Sequence, residues 1–173
     1  VIGLGLTVAE LASPMTELRY RWPNAVLLNN ARTGDVVLEP GPTVAGVFEW
    51  LLLGFTVNVK DHPETSGPGE TCLAAEGSGE VTVAELLDGF RGHFLSWINR
   101  WADGGFAPVR KAWRQRLEGL GETREIRLKE KTLVGRLVEI DERGALILES
   151  EGGVRALGVA DYFGIQEART DRS

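Results

Sequence analysis

A cation, an indole, a proline and an amide stand side by side at Arg21-Trp22-Pro23-Asn24. Arg21 offers a planar five-donor guanidinium, and Pro23 fixes the turn that presents its neighbours. The plainer readings are an exposed strand arginine in a salt bridge and an ordinary core tryptophan at Trp22. Asn58 closes an apolar run, so its amide needs a partner, either a ligand's phosphate or ribose or the backbone of a neighbouring loop. Other chemistries lack their residues. Cys72 is the sole cysteine, which excludes an internal disulfide and a cysteine-built metal site. With no histidine nearby in sequence, it reads as a packed thiol. His62 and His93 are not spaced as metal ligands, so no metal site is expected. His93, between Phe90 and Phe94, reads as a boundary histidine on a helix. The charged run from Arg110 to Arg116 reads as a solvated helix face.

Several elements must position these residues. Leu4, Val8 and Leu11 recur at helical spacing until Ser13-Pro14, with Gly3 and Gly5 marking close packing against a neighbour. Leu18 to Arg21 alternates and enters a turn at Trp22-Pro23, Ala25 to Leu28 is a short apolar run, and Asn29 to Gly34 has the composition of a hairpin loop. The return strand is expected at Asp35 to Leu38. Phe48 to Val59 is nearly continuous hydrophobe, the pattern of a strand covered on both faces. Lys60 to Glu80 is a long Gly-, Pro-, Ser- and Glu-rich loop. Thr82-Val83-Ala84-Glu85 has the form of a capping box. Behind it Val83, Leu86, Leu87, Phe90, Phe94, Ile98 and Trp101 make one apolar stripe, ended by Gly104-Gly105. A second helix is expected from Phe106 to Leu117. After Gly121 come short strands at Glu125 to Lys129, Leu133 to Ile140, Ala145 to Glu149 and Val154 to Leu157, with a tight turn at 141–144. Such a run suggests a small SH3-like β-barrel.

The chain of 173 residues has room for one domain plus a small appendix. A hydrophobic fraction of 43% supports a real core. A net charge of −6 argues against a general nucleic-acid binder. No stretch approaches the roughly 20 apolar residues of a membrane span. The apolar opening Val1 to Leu6 lacks the basic flank of a signal peptide, and a cytoplasmic setting is the default expectation.

The order of several motifs resembles the biotin protein ligases of the biotin/lipoate ligase superfamily. Arg21-Trp22-Pro23-Asn24-Ala25 is similar to that family's Lys-Trp-Pro-Asn-Asp, followed by a hairpin ending in a small residue and glycine, here Thr33-Gly34. Leu53 to Val59 resembles the family's Gly-x-Gly-x-Asn strand, with Gly54 and Asn58 in place. Glu70-Thr71-Cys72-Leu73 resembles its Ala-Thr-Ser-Leu loop, and Val134 to Leu146 its C-terminal domain. Trp97 to Trp101 and Gly105 to Pro108 point to a divergent branch. The resemblance covers nearly the whole chain. It implies an α+β fold of the class II synthetase-like, biotin/lipoate ligase-like kind: a mixed sheet with helices over residues 1–120, then an SH3-like barrel over 121–173. Val1 would fall about midway through the catalytic domain, downstream of the family's Gly-Arg-Gly-Arg-x-Gly-Arg loop.

What the resemblance implies about function is ATP-dependent activation of biotin, or a similar acid, to an acyl-adenylate, then transfer to a lysine of a carrier domain. ATP, Mg2+ and biotin are the implied ligands, and a biotin carboxyl carrier domain the implied partner. Arg21 would be the catalytic cation, with Trp22, Pro23, Asn24, Gly34, Gly54 and Asn58 shaping the ligand pocket. Two alternatives stay open: a non-catalytic relative that binds nucleotide, a biotin-like ligand or a carrier domain, and a lipoate or octanoate transferase. A homodimer is compatible with the family, whereas no helix-turn-helix suggests DNA. Arg21 keeps the charge of the motif's lysine in another geometry. Three departures stand out: Ala25 replaces the motif's aspartate, Thr56 replaces the second glycine of Gly-x-Gly-x-Asn, and the family's Gly-Arg-Gly-Arg-x-Gly-Arg loop with the strands before it is not found in this sequence.

Overall fold

A computed structural model describes residues 1–64, 69–128 and 131–163. The chain forms two compact units, Val1–Asp103 and Gly104–Ser173. The sequence-based boundary near Gly121 falls between α-helix and strand, at residues 116–122.

In the first unit, helix α1 (Ile2–Leu11) precedes strands β1 (Leu18–Arg21), β2 (Ala25–Leu28), β3 (Ala31–Pro40), β4 (Thr43–Val44), β5 (Val47–Phe48) and β6 (Leu51–Val57), then helix α2 (Val83–Gly104). Strands β1-β2-β3-β6 form one antiparallel sheet in that order, and β4 and β5 a separate ribbon. The β2–β3 turn is shorter than its composition suggests. Asn29 and Asn30 take φ of 49° and 65°, the left-handed pair that a two-residue hairpin of matching twist requires. Strand β3 therefore starts at Ala31, inside the run read as loop.

Both helices cover one face of this sheet. Tyr20 of β1 is fully buried, its ring lying where a Cβ on Gly5 of α1 would stand. Gly3 lets α1 approach the α2 backbone at Phe94, where an added Cβ would meet Phe94 atoms at 3.3 Å. Phe55 of β6 meets Phe90 of α2 with ring centroids 4.5 Å apart. The capping box forms as read: the Thr82 N–H donates to Glu85 Oε2 at 2.8 Å, and the Glu85 N–H to Thr82 Oγ1 at 3.2 Å. Cys72 is buried and packed. The expectation of a strand covered on both faces fails for β6. It is an edge strand of the described sheet, and Leu51 and Leu52 are more than half exposed.

The second unit holds α3 (Phe106–Gln115), β7 (Thr123–Arg127), β8 (Thr132–Ile140), β9 (Leu146–Ser150), β10 (Gly153–Leu157) and the short α4 (Val159–Phe163). The strand expected to reach Lys129 ends at Arg127, and residue 129 lies outside the described residues. Strands β10-β9-β8-β7 form an antiparallel meander with β10 and β7 at its edges. Where a barrel was expected, the described residues form these four consecutive strands as an open sheet, without a closed ring. Asp141 builds the β8–β9 turn, its Oδ1 accepting the Arg143 and Ala145 N–H groups at 2.8 Å each. Arg110 corrects the reading of a solvated helix face. Its Nε donates to the Ile140 carbonyl at 2.6 Å and its Nη2 to Glu139 at 2.7 Å, fastening α3 to β8.

Candidate functional site

Paired residues in an antiparallel sheet share a face, and side chains alternate along each strand. Tyr20 and Phe55 face the helices, so Arg21 and Thr56 face the other way. The register then draws a row across the sheet. Arg21 pairs with Ala25, Ala25 with Asp35, and Asp35 with Thr56. The cation expected to carry the chemistry and both sequence departures on the sheet, at 25 and 56, lie in this single row. Toward its β6 end, Thr56 and Gly54 are exposed, and a Cβ added at Gly54 would meet nothing within 4 Å.

The turn that carries the motif is tied down on both sides. Trp22 and Pro23 are joined by a cis peptide bond, and Trp22 is buried. Asn24 Nδ2 donates to the Val36 carbonyl at 3.0 Å, while the Asn24 carbonyl accepts the Val36 N–H at 3.1 Å. That exchange holds the turn against β3. Gly34 sits at a close approach of β3 and β6: an added Cβ would fall on the Thr56 carbonyl oxygen, inside the 3.0 Å that real Cβ contacts respect. The close approach that requires this glycine is therefore made by a neighbouring strand.

A β-bulge just before Gly34 has a consequence for the site. Register shifts between Val26 and Leu27, whose partners are Gly34 and Arg32. Thr33 is the extra residue, fully buried, and its Oγ1 has no hydrogen-bond partner. In a regular strand, residues three apart point to opposite faces. The inserted residue brings Arg32 and Asp35 to the same one. Arg32 Nη2 donates to Asp35 Oδ2 at 2.7 Å, and Thr56 Oγ1 to Asp35 Oδ1 at 2.9 Å.

The segment after Gly69 completes the cluster. It runs beside the start of β3 through an isolated parallel bridge between Arg32 and Glu70. Arg32 Nε stands 3.5 Å from Glu70 Oε1, and Asn58 Nδ2 donates to Glu70 Oε2 at 3.1 Å and to the Thr71 carbonyl at 3.0 Å. Asn58 thus finds both a carboxylate and a loop backbone. Thr71 Oγ1 donates to Glu76 Oε1 at 2.6 Å, and Asn29 Nδ2 to Glu76 Oε2 at 2.7 Å, linking this segment to the β2–β3 turn. Side-chain exposures of 44%, 16% and 11% for Arg32, Asp35 and Glu70 put the carboxylates inward and the guanidinium outward. Pairs this open contribute about 0–1 kcal/mol each to stability. Their main effect is orientation: both carboxylates hold the Nε and Nη2 groups of one guanidinium.

Sequence reasoning missed Arg32, Asp35 and Glu70. The first was taken for loop, the second for an ordinary strand residue, and the third, midway along the Lys60 to Glu80 segment, was named only as the start of a motif. The alternating charges of Arg32-Thr33-Gly34-Asp35 were the available signal. Among the described residues, no group of three or more His, Cys, Asp or Glu side chains could hold a metal ion, and no helix is long and apolar enough to cross a membrane.

The pattern shared by the Biotin/lipoate A/B protein ligase family matches residues 1–115. The chain is 32% identical over 155 residues to a biotin--[acetyl-CoA-carboxylase] ligase of Paracoccus denitrificans, covering 87% of this chain and 64% of that one. It is 24% identical to the bifunctional ligase/repressor BirA of Bacillus subtilis, covering 89% of this chain and 48% of that one. The chain therefore spans less than two thirds of either relative. Among solved structures, a biotin protein ligase-like protein of unknown function from Silicibacter sp. aligns with a TM-score of 0.75 at 25% identity, over 96% of this chain and 70% of that one. A biotin protein ligase of Aquifex aeolicus in complex with biotin and ATP aligns with a TM-score of 0.72 at 21% identity, over 92% and 68%; at that identity the likeness is one of fold. With the match spanning both helices and the whole first sheet, the chain belongs to the biotin/lipoate A/B protein ligase family.

Proposed function

We propose that this chain is part of a biotin protein ligase that activates biotin, or a similar carboxylic acid, with ATP. The acid's carboxylate attacks the α-phosphorus, pyrophosphate departs, and an acyl-adenylate forms. A lysine amine of a carrier domain then attacks the acyl carbon, releasing AMP. Both steps crowd anionic oxygens together, so fixed positive charge on the site's face lowers their barriers. The observation that supports this most directly is the row across the sheet: Arg21 lies on the face that also carries the Arg32 guanidinium, and the row ends at the exposed Thr56 on β6.

In this reading Arg21 is the catalytic cation. Trp22, Pro23 and Asn24 form the turn that presents it, Gly54 and Asn58 shape the ligand surface farther along the sheet, and Gly34 serves it by letting β3 and β6 close up. Mg2+ would arrive on the nucleotide's phosphates, since such sites ask only one or two carboxylates of the protein. The described residues offer no larger ligand set. The second unit's meander would be the family's SH3-like part. The partner is a carrier domain, and the setting cytoplasmic. What the Bacillus name says of repression is said of that protein.

The test is pyrophosphate exchange. The intact protein, given ATP, labelled pyrophosphate and biotin, should show biotin-dependent exchange into ATP. Replacing Arg21 by Gln should lower it about a hundredfold, the scale of one lost transition-state donor. Arg21→Lys should raise it. Exchange with lipoate or octanoate instead would reassign the acid. Ligand binding without exchange would identify a non-catalytic relative and refute the ligase reading.

A further inference from the structure

Ala25 and Thr56 differ from the family motifs by a missing carboxylate and an added side chain, and the register shows that the two positions share a neighbour. Ala25 is the Cα partner of Asp35, and Asp35 of Thr56. Asp35 therefore places a carboxylate in the same row, one strand over and about 5 Å across the sheet. Both its oxygens are engaged, Oδ1 by the Thr56 hydroxyl at 2.9 Å and Oδ2 by Arg32 Nη2 at 2.7 Å. A glycine at 56 would remove the first of these donors. Glu70, itself held by Asn58, stands on the guanidinium's Nε. A guanidinium fixed through Nε and Nη2 keeps its remaining donors in a set direction, which a flexible side chain alone does not provide.

We propose that Asp35 is the positioning residue of this site: it fixes the Arg32 guanidinium on the face that carries Arg21, and Thr56 is the partner that holds Asp35 in place. Ala25 and Thr56 are then parts of one arrangement centred on β3, not two independent defects. This rests on the ligase reading for its catalytic consequence, but the geometry it asserts is measurable without catalysis.

The experiment uses the intact protein with Asp35→Asn, Thr56→Val and the double variant. Two readouts are taken: KM for biotin in the exchange assay, and the NMR signal of the Arg32 Nε–H without ligand. Asp35→Asn should raise KM about tenfold with a smaller change in kcat, the scale expected when a contacting group is displaced by a fraction of an ångström. Thr56→Val should do so about threefold alone and add little in the Asp35→Asn background, as coupled neighbours do. The Arg32 signal should shift and exchange faster with water in Asp35→Asn. Ala25→Asp should restore part of what Asp35→Ala loses, a rescue that a merely structural role does not give. An unchanged KM together with an unchanged Arg32 signal overturns the proposal, as does a Thr56→Val effect that multiplies in full with Asp35→Asn. If the parent shows no acid-dependent exchange, the ligase reading falls by itself, and the Arg32 signal alone decides the positioning role.

Discussion

Two glycines on adjacent strands should respond oppositely to the same substitution. At Gly34 an alanine Cβ would fall on the Thr56 carbonyl oxygen, whereas at Gly54 it would meet nothing within 4 Å. The carbonyl cannot turn aside cheaply, because Asp35 and Thr56 are registered partners in the β3–β6 ladder. Relieving the overlap means pushing the strands apart, an overpacking cost of about 1–3 kcal/mol. Gly54 lies mid-strand without a positive φ, so Gly54→Ala removes unfolded-chain freedom and should stabilise by roughly 0.4–1 kcal/mol. The two variants should thus differ by about 1.5–4 kcal/mol, roughly 0.7–2 M in urea midpoint for a slope of about 2 kcal/mol/M. With two compact units in the chain, the unfolding should be followed through amide signals of β3 and β6, so that only the first unit is read. Equal midpoints for the two variants, or a Gly34→Ala protein as stable as the parent, would refute the close-approach account of Gly34.

Three further outcomes are expected. Thr82→Ala should cost about 1 kcal/mol, read as faster hydrogen exchange in the first turn of α2, because it removes the hydroxyl bonded to the Glu85 N–H. Glu85 is held below the usual carboxylate range by the Thr82 N–H and then by the Thr82 hydroxyl. A depressed carboxyl contributes stability above its unfolded value and loses it as pH falls through its folded value. The same amides should therefore lose protection on acidification below the ordinary carboxylate range, and a pH-independent first turn would contradict this. Arg110→Ala should destabilise the second unit by about 1–2 kcal/mol, since it leaves the Ile140 carbonyl without its charged donor. Arg114→Ala, which removes only a half-exposed ion pair to Glu139 at 3.4 Å, should cost less than about 0.5 kcal/mol. Thermal unfolding of the pair checks the ranking.

Much of the local structure was legible because its causes are local. The Thr82–Glu85 reciprocity lies within four residues, and the α2 stripe within one period. The glycines of α1 announced close neighbours, which prove to be Phe94 and Tyr20. What the sequence hid depends on partners far along the chain. Phe48 to Val59 reads as doubly covered from its hydrophobicity alone, yet β6 borders the described sheet, and an edge is a property of the whole strand order. Arg110 reads as solvated because a helical wheel does not show which strand end lies beneath it, 30 residues away.

The site shows the same division, and there the bulge is the deciding step. Arg21 and Asn24 are found from a contiguous motif, whose stiffness comes from a proline and whose hold on β3 comes from one amide. Arg32 and Asp35 are three apart, so strict alternation would send them to opposite faces of the sheet. One additional residue, Thr33, reverses that outcome and makes a salt bridge of two residues that a regular strand would separate. No propensity at Thr33 marks it as extra; its place is set by how β2 and β6 dock on either side. Once it is there, position 35 becomes the row partner of both 25 and 56. Substitutions that look unrelated in sequence, 31 residues apart, are then judged by a single shared neighbour.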